Sequence, residues 1–186
     1  MMGHTHWIIG GASWLGALSA ANVAGNAPLS LGMVAGGFAI ASVAALCPDI
    51  DTKKSMAAKS LGPVTGILSW IIRTIGNGHR KITHCLLGAS LVILGLAFCV
   101  GSLHLIPWIG FAVVIGWISH IVADMLTKEG CPLLWPISKV KFGLHIVTTG
   151  GKLEKYFIRP VTVLAVIGFS VLLVMGMLWI CLSHLT

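Results

Sequence analysis

Acidic residues are nearly absent from this chain, which has 5 Asp and Glu residues against 12 Lys and Arg residues. Charged residues make up only 9% of its 186 positions, whereas hydrophobic residues make up 56%. A soluble domain of this size exposes far more charge, so this composition excludes the ordinary soluble class. Together with a mean hydropathy of +0.97, it predicts an all-α, polytopic membrane helix bundle that forms a single domain over residues 1–186.

Several catalytic signatures are also missing. The chain has no His-Glu-x-x-His, no Gly-x-Ser-x-Gly and no P-loop, which argues against a zincin protease, a serine hydrolase and a P-loop NTPase. Its five cysteines form no Cys-x-x-Cys pair, so we expect free thiols. Although the net charge is +7, no basic patch is interleaved with aromatic residues, and we expect no nucleic acid partner.

Five segments approach the roughly 20 apolar residues that cross a hydrocarbon core. The first is rich in Gly, Ala and Ser, which favour close helix packing over lipid exposure and also permit self-association. The predicted spans are residues 7–25, 29–47, 84–106, 107–126 and 161–182.

The basic residues predict the orientation of these spans. Six lie between the second and third spans and six between the fourth and fifth. The positive-inside rule places both loops, and hence the N-terminus, on the cytoplasmic side of the membrane. Residues 61–75 are interpreted as an interfacial or re-entrant helix on that side. The alternative, a crossing helix, would put Arg80 and Lys81 outside and separate the polar motifs.

Polar motifs occur at several span ends, and the first pairs His120 with Asp124. Four residues apart in a helix, the two side chains project from one face. An imidazole and a carboxylate at this spacing form half of a site for zinc or another transition metal. The alternative is that Asp124 only orients His120 or caps the helix. Ionisable residues within a span are functional by default, which favours metal binding.

Asp49 and Asp51 follow Pro48, which turns the chain out of the second span. Without a cation, two carboxylates this close together would repel each other at a low-dielectric boundary. Taken alone, the pair slightly favours a solvated turn with an Asx cap. The neighbouring histidine motifs favour a shared cation.

A third motif contains His79 and His84, which are predicted to approach the site from a loop and from the first turn of the third span. Thr83 is predicted to cap that span. Arg80 and Lys81 supply donors for an anionic group such as phosphate. The alternative is that these two charges only mark the cytoplasmic side.

His6 opens the first span on the same predicted face and is a further candidate ligand. Glu154 is a candidate ligand or general base, although an ion pair with Lys152 or Lys155 explains it equally well. The combined set exceeds one tetrahedral site and predicts a centre of two or more divalent ions. Zinc is the favoured metal, with manganese and magnesium as alternatives.

These motifs, in this order, resemble those of the YdjM-type family of bacterial inner-membrane proteins, which are described as metal-dependent hydrolases. The resemblance rests on Thr5-His6, Pro48-Asp49-Ile50-Asp51, His79-Arg80-x-x-Thr83-His84, Ser119-His120-x-x-x-Asp124 and Leu134-Trp135-Pro136. The family is in turn distantly similar to the zinc-dependent phospholipase C and nuclease superfamily. The resemblance implies ligands at His6, Asp49, His79, His84, His120 and Asp124, with Asp51 a ligand or bridge.

We therefore expect hydrolysis of a phosphoester in a phospholipid or lipid-linked phosphate at the cytoplasmic membrane face. In this scheme Arg80 and Lys81 hold the phosphate, and Asp51 or Glu154 accepts the proton of the attacking water. The rival class is a non-catalytic metal-binding membrane protein, such as a sensor or scaffold. A transporter is disfavoured, because the middles of the spans carry almost no ionisable groups. A metal-free polar network is the remaining alternative.

Overall fold

The computed structural model describes residues 1–25, 29–52, 55–59, 63–75, 81–103 and 106–183. Within these ranges the protein is helical and forms no strand, apart from isolated β-bridges between Thr127 and Val147 and between Cys131 and Phe142. The α-helices are α1 (Gly3–Val23), α2 (Leu31–Ala44), α3 (Met56–Lys59), α4 (Pro63–Ile75), α5 (Leu86–Ser102), α6 (Pro107–Met125) and α7 (Arg159–Ser183). Short 3₁₀ turns span Cys47–Asp51 and Ile82–His84, and a π-helical turn spans Glu154–Ile158.

Helix α1 occupies the centre of the bundle and packs against α2, α6 and α7. This central position agrees with its small-residue composition, because helices without bulky side chains can be surrounded closely by others. The buried apolar core is built from α1, α2, α6 and α7 and consists of Trp14, Leu15, Leu18, Ala41, Ala112 and Leu173.

Glycines bring α1 and α6 unusually close to α2. A Cβ added to Gly10 of α1 would lie 2.6 Å from the carbonyl oxygen of Ala41, and one added to Gly116 of α6 would lie 2.2 Å from the same oxygen. Since real Cβ atoms do not approach a backbone oxygen so closely, both positions require glycine. The backbones of α1 and α6 therefore pack against the backbone of α2 with almost no intervening side chain.

The predicted helical membrane bundle is confirmed, while the individual spans differ in length. Within the part of the chain that the structure describes, three segments are long and apolar enough to cross a membrane: Leu31–Asp51, Pro107–Met125 and Glu154–Trp179. Leu86–Ser102 is apolar but has only 17 residues. Helix α1 has 21 residues, and its Gly, Ala and Ser content lowers its hydropathy. A count of five spans and their orientation stay predictions.

Helix α4 exposes its apolar side and buries its polar side. Val64, Ile67 and Trp70 are exposed, whereas Thr65 and Ser69 are buried. The helix packs against the 3₁₀ turn Cys47–Asp51. An outward apolar stripe suits a helix lying in a membrane interface, and so agrees with the prediction for residues 61–75, of which the structure describes 63–75.

No disulfide joins the cysteines in the described residues, in agreement with the prediction. All five lie within the described ranges.

The close approach of α2 and α6 predicts that Gly116→Ala is destabilising. The added methyl group must push apart two packed backbones, and overpacking of this kind costs about 1–3 kcal/mol. The matched control is Gly95→Ala in α5, where a Cβ meets nothing within 4 Å and the helix should gain about 0.5–1 kcal/mol. Equilibrium unfolding in detergent micelles, followed by circular dichroism, measures both. Equal stability of the two variants would contradict the packing described here.

Candidate metal centre

Five helix ends meet at one end of the bundle: the starts of α1, α5 and α7 and the ends of α2 and α6. Polar side chains that are far apart in the sequence come together there. Asp49, His84, His120 and Asp124 each offer a ligand atom, and these atoms all lie within 4.8 Å of one another. The arrangement could hold a metal ion, and these four residues are called the Asp–His cluster below.

The distances within the Asp–His cluster are those of a small coordination shell. Nε2 of His84 lies 3.0 Å from Nε2 of His120. Oδ2 of Asp124 lies 3.5 Å and 3.7 Å from these two nitrogens. Oδ1 of Asp49 lies 3.8 Å and 3.7 Å from them. Tetrahedral zinc with bonds of about 2.0–2.2 Å holds its ligand atoms about 3.3–3.6 Å apart. The measured separations are close to this range, and the four residues could hold a metal ion.

The backbone determines which nitrogen of His120 faces the cluster. Nδ1 of His120 lies 2.7 Å from the carbonyl oxygen of Ala45. A carbonyl only accepts, so Nδ1 carries the proton and donates it to Ala45. In the neutral ring Nε2 is then an acceptor whose lone pair faces the cluster. This is the usual way in which a second hydrogen bond orients a ligating histidine.

A hydroxyl and a carboxylate orient His84 in the same manner. Thr83 Oγ1 donates to Asp51 Oδ2 at 2.9 Å and lies 2.8 Å from Nδ1 of His84. Because the hydroxyl has a single proton, its lone pair accepts from the protonated Nδ1. Nε2 of His84 is again left as an acceptor. Asp51 therefore supports His84 through Thr83, a position different from that of Asp49 in the cluster.

These assignments leave two nitrogen lone pairs facing each other 3.0 Å apart. Two carboxylates adjoin them, and the side chains of His84, His120 and Asp124 are fully buried. The Met1 amine contacts Oδ1 of Asp124, whereas the atoms that face the cluster are acceptors, and buried acceptors this close together are unfavourable without a shared positive group. A divalent cation would satisfy all four groups at once. The donor set, two imidazoles and two carboxylates, is typical of zinc and similar ions.

His6 lies beside the Asp–His cluster on the far side of Asp124. Its ring stacks on His120 with the centroids 3.7 Å apart, and its Nε2 lies 3.1 Å from Oδ1 of Asp124. The same oxygen contacts the amine of Met1. Within the described part of the chain, the buried Nδ1 of His6 has no hydrogen-bond partner. Asp124 thus presents one oxygen to the cluster and the other to His6.

Glu154 connects the start of α1 to the segment that precedes α7. Its carboxylate accepts from Thr5 Oγ1 at 2.5 Å, from the Met2 amide at 2.8 Å and from the Gly150 amide at 2.7 Å. Arg159 Nε donates to Thr5 Oγ1 at 3.0 Å. This network positions His6, the next residue after Thr5. A ligand or base role for Glu154 stays a prediction.

Three further predicted residues, His79, Arg80 and Lys81, precede His84 in the sequence. Lys81 is half-buried and directly precedes the turn Ile82–His84, and its phosphate role stays a prediction. His79 and Arg80 lie outside the described residues.

Asp49 is 19% exposed, in contrast to the other three cluster members at 0%, so the cluster is accessible from the side of Asp49.

One local prediction is wrong, and two supporting groups were missed. The N-cap of α5 is Cys85, whose Sγ accepts from the Gly88 amide at 3.3 Å, whereas Thr83 is used by Asp51 and His84. The relay role of Thr83 had a signal in its position next to a candidate histidine. No sequence signal indicates the role of the Ala45 carbonyl, because every residue has a backbone carbonyl.

Glycine at position 88 explains how His84 is presented. A Cβ there would lie 1.7 Å from the carbonyl oxygen of Ile82. The turn Ile82–His84 therefore packs directly on the first turn of α5, which directs His84 inward.

Fold and site together define a helical membrane protein with a buried Asp–His cluster that could hold a metal ion. The chain belongs to the YdjM inner membrane protein family, whose sequence model matches residues 1–185. It is 37% identical over 116 residues to the inner membrane protein YdjM of Escherichia coli K12, and equally so to that of Shigella flexneri. These alignments cover 60% of this chain and 55% of each relative, so the chain spans about half the length of the curated relatives it matches. No solved structure matches the chain significantly.

We predict that His120→Ala and Asp124→Ala each abolish stoichiometric metal binding, because each removes one of four convergent ligands. Elemental analysis of protein purified in detergent measures the ion content per chain. His4→Ala is the matched control, since His4 is exposed on the same helix end and should keep the wild-type content. Equal metal content in all three variants would show that the cluster is not the binding site.

Thr83→Val should weaken metal binding about 10–100-fold, the usual effect of removing a group that orients a ligating histidine. Thr83→Ser keeps the hydroxyl and should bind as wild type does. Competition with a chromogenic chelator gives both dissociation constants. If valine and serine bind the metal equally well, the hydrogen-bond relay from Asp51 contributes nothing to the site.

Proposed function

We propose that this protein is a membrane-embedded, metal-dependent hydrolase of phosphoester bonds, acting on a phospholipid or lipid-linked phosphate at the cytoplasmic membrane face. The observation that carries this proposal is the convergence of two imidazole nitrogens and two carboxylate oxygens within 4.8 Å of one another. The cluster lies where membrane-length helices end. A phosphate at headgroup depth is the substrate class that can reach such a position.

A divalent ion held by the Asp–His cluster would supply Lewis acidity toward a phosphoryl oxygen and toward water. Zinc fits the donor set best, and manganese or magnesium are the alternatives. His6, beside the second oxygen of Asp124, supports a further ion next to the first. Two or more ions would agree with the resemblance to the phospholipase C superfamily.

The protein's own groups would orient the site and handle protons. The Ala45 carbonyl and the Thr83–Asp51 pair keep Nδ1 of the two histidines protonated. We assign Asp51 or Glu154 to the proton released from water, with Asp51 favoured because it is already linked to the cluster. Arg80 and Lys81, which precede the turn bearing His84, are assigned to the phosphate.

One observation favours the second candidate function, a non-catalytic metal-binding membrane protein such as a sensor or scaffold. Three of the four cluster side chains are fully buried, as in structural metal sites, which are closed by protein ligands. The partial exposure of Asp49 favours the catalytic alternative, because a catalytic site keeps one position open to substrate.

Metal-loaded protein should release product from phospholipids in mixed micelles, and Asp124→Ala should reduce kcat/KM by at least about 100-fold through loss of metal-dependent charge stabilisation. Phosphate or headgroup release, measured over a panel of phospholipids and prenyl phosphates, checks this. Glu129→Gln, at an exposed acid, is the control and should match wild type. A metal-loaded wild type that turns over none of these substrates would overturn the hydrolase proposal and favour the non-catalytic role.

A further inference from the structure

An apolar groove lies on the bundle surface where α2 adjoins α6. Its volume is about 360 Å³. It is formed mainly by one face of α2 and closed by a single residue of α6. The lining residues are Ala39, Ile40, Val43, Ala44, Cys47 and Val113. This surface is called the α2–α6 groove below.

The groove runs along α2 toward the Asp–His cluster. From Ala39 to Cys47 the chain advances eight positions, or about 12 Å at the rise of an α-helix. Cys47 begins the 3₁₀ turn that carries Asp49, the cluster member with the exposed edge. The end of the groove and the accessible side of the cluster therefore lie on one short stretch of chain.

The lining chemistry suits a hydrocarbon chain. The wall carries aliphatic side chains, and its one polar hydrogen, on the Cys47 thiol, is directed to the Val43 carbonyl oxygen at 3.6 Å. A water-soluble phosphoester would find no partner there. A lipid chain gains little from leaving other lipids, which are equally apolar. The contribution of the groove is therefore alignment of the chain relative to the cluster.

We propose that the α2–α6 groove seats one acyl chain of a glycerophospholipid from the surrounding bilayer, so that the lipid phosphate reaches the cluster at Asp49. The inference rests on the proposed hydrolase function and makes the substrate a lipid in the membrane plane. The groove ends at Cys47, two positions before Asp49 in the same 3₁₀ turn, and this proximity selects the occupant, because the bilayer supplies chain and phosphate in one molecule. A soluble phosphoester would not need the groove.

A second apolar groove provides an internal control. It lies between α5 and α6, has a volume of about 220 Å³, and is lined by residues that include Ala97. None of its lining residues belongs to the turns that carry Asp49 or His84. Ala97, like Ala39, is an exposed alanine. Filling this groove with a bulky side chain should therefore leave the path to the cluster open.

The test compares Ala39→Trp with Ala97→Trp in metal-loaded protein. Two substrates are used, a long-chain phosphatidylglycerol in mixed micelles and the water-soluble p-nitrophenyl phosphorylcholine. Ala39→Trp should lower kcat/KM for the long-chain lipid at least about tenfold by blocking alignment, and should leave the soluble substrate and the metal content unchanged. Ala97→Trp should behave as wild type. Val43→Phe is a second filling variant, to be used if Ala39→Trp does not fold.

A photoreactive phosphatidylglycerol with a diazirine in its acyl chain gives a readout that does not depend on turnover. Labelling of the peptide that contains residues 39–47 should be strong in wild type and Ala97→Trp and weak in Ala39→Trp. Wild-type hydrolysis of the long-chain lipid by a groove-filled variant, or labelling unaffected by filling, would overturn the inference. A wild type that labels at the groove but hydrolyses neither substrate would refute the proposed function and leave the groove assignment supported.

Discussion

The backbone contact of α1 and α6 with α2 is the constraint on which the site depends. Gly10 and Gly116 approach the carbonyl oxygen of Ala41 from two sides, and the next turn of α2 offers the Ala45 carbonyl to His120. With larger residues at the glycine positions, the helices would separate by more than a hydrogen bond can tolerate. Small residues in the first span therefore determine the geometry of ligands that lie elsewhere in the chain.

The site also illustrates how a membrane protein can bury carboxylates. The carboxylates of Asp51 and Glu154 are stabilised by hydrogen bonds from Thr83, Thr5 and the backbone. Asp124 is instead placed among imidazole nitrogens and an amine. Charge is rare in this chain because each buried carboxylate needs several partners. Four of the five acidic residues, all except the exposed Glu129, are thus concentrated near the helix ends that supply those partners.

Much of this arrangement could be predicted from sequence, because helical spacing is local. His120 and Asp124 share a face at four residues apart, and the order of the spans brings Asp49 and His84 to the same end of the bundle. The relay from Asp51 through Thr83 and the contact of Gly88 with Ile82 could not be predicted. Both depend on how a 3₁₀ turn packs against a helix. Such a tertiary contact leaves no periodic pattern in the sequence.

The four residues of the Asp–His cluster are far apart in the sequence, which has a consequence for biogenesis. Asp49 and His84 are synthesised well before His120 and Asp124, which lie in the last turns of α6. Helices enter the membrane in the order of synthesis. Asp49 and His84 therefore reach the membrane boundary before His120 and Asp124 are in place. The coordination shell can close only after α6 is inserted and docked against α2. An ion held by the cluster would therefore be acquired late in maturation, by a bundle that is already assembled.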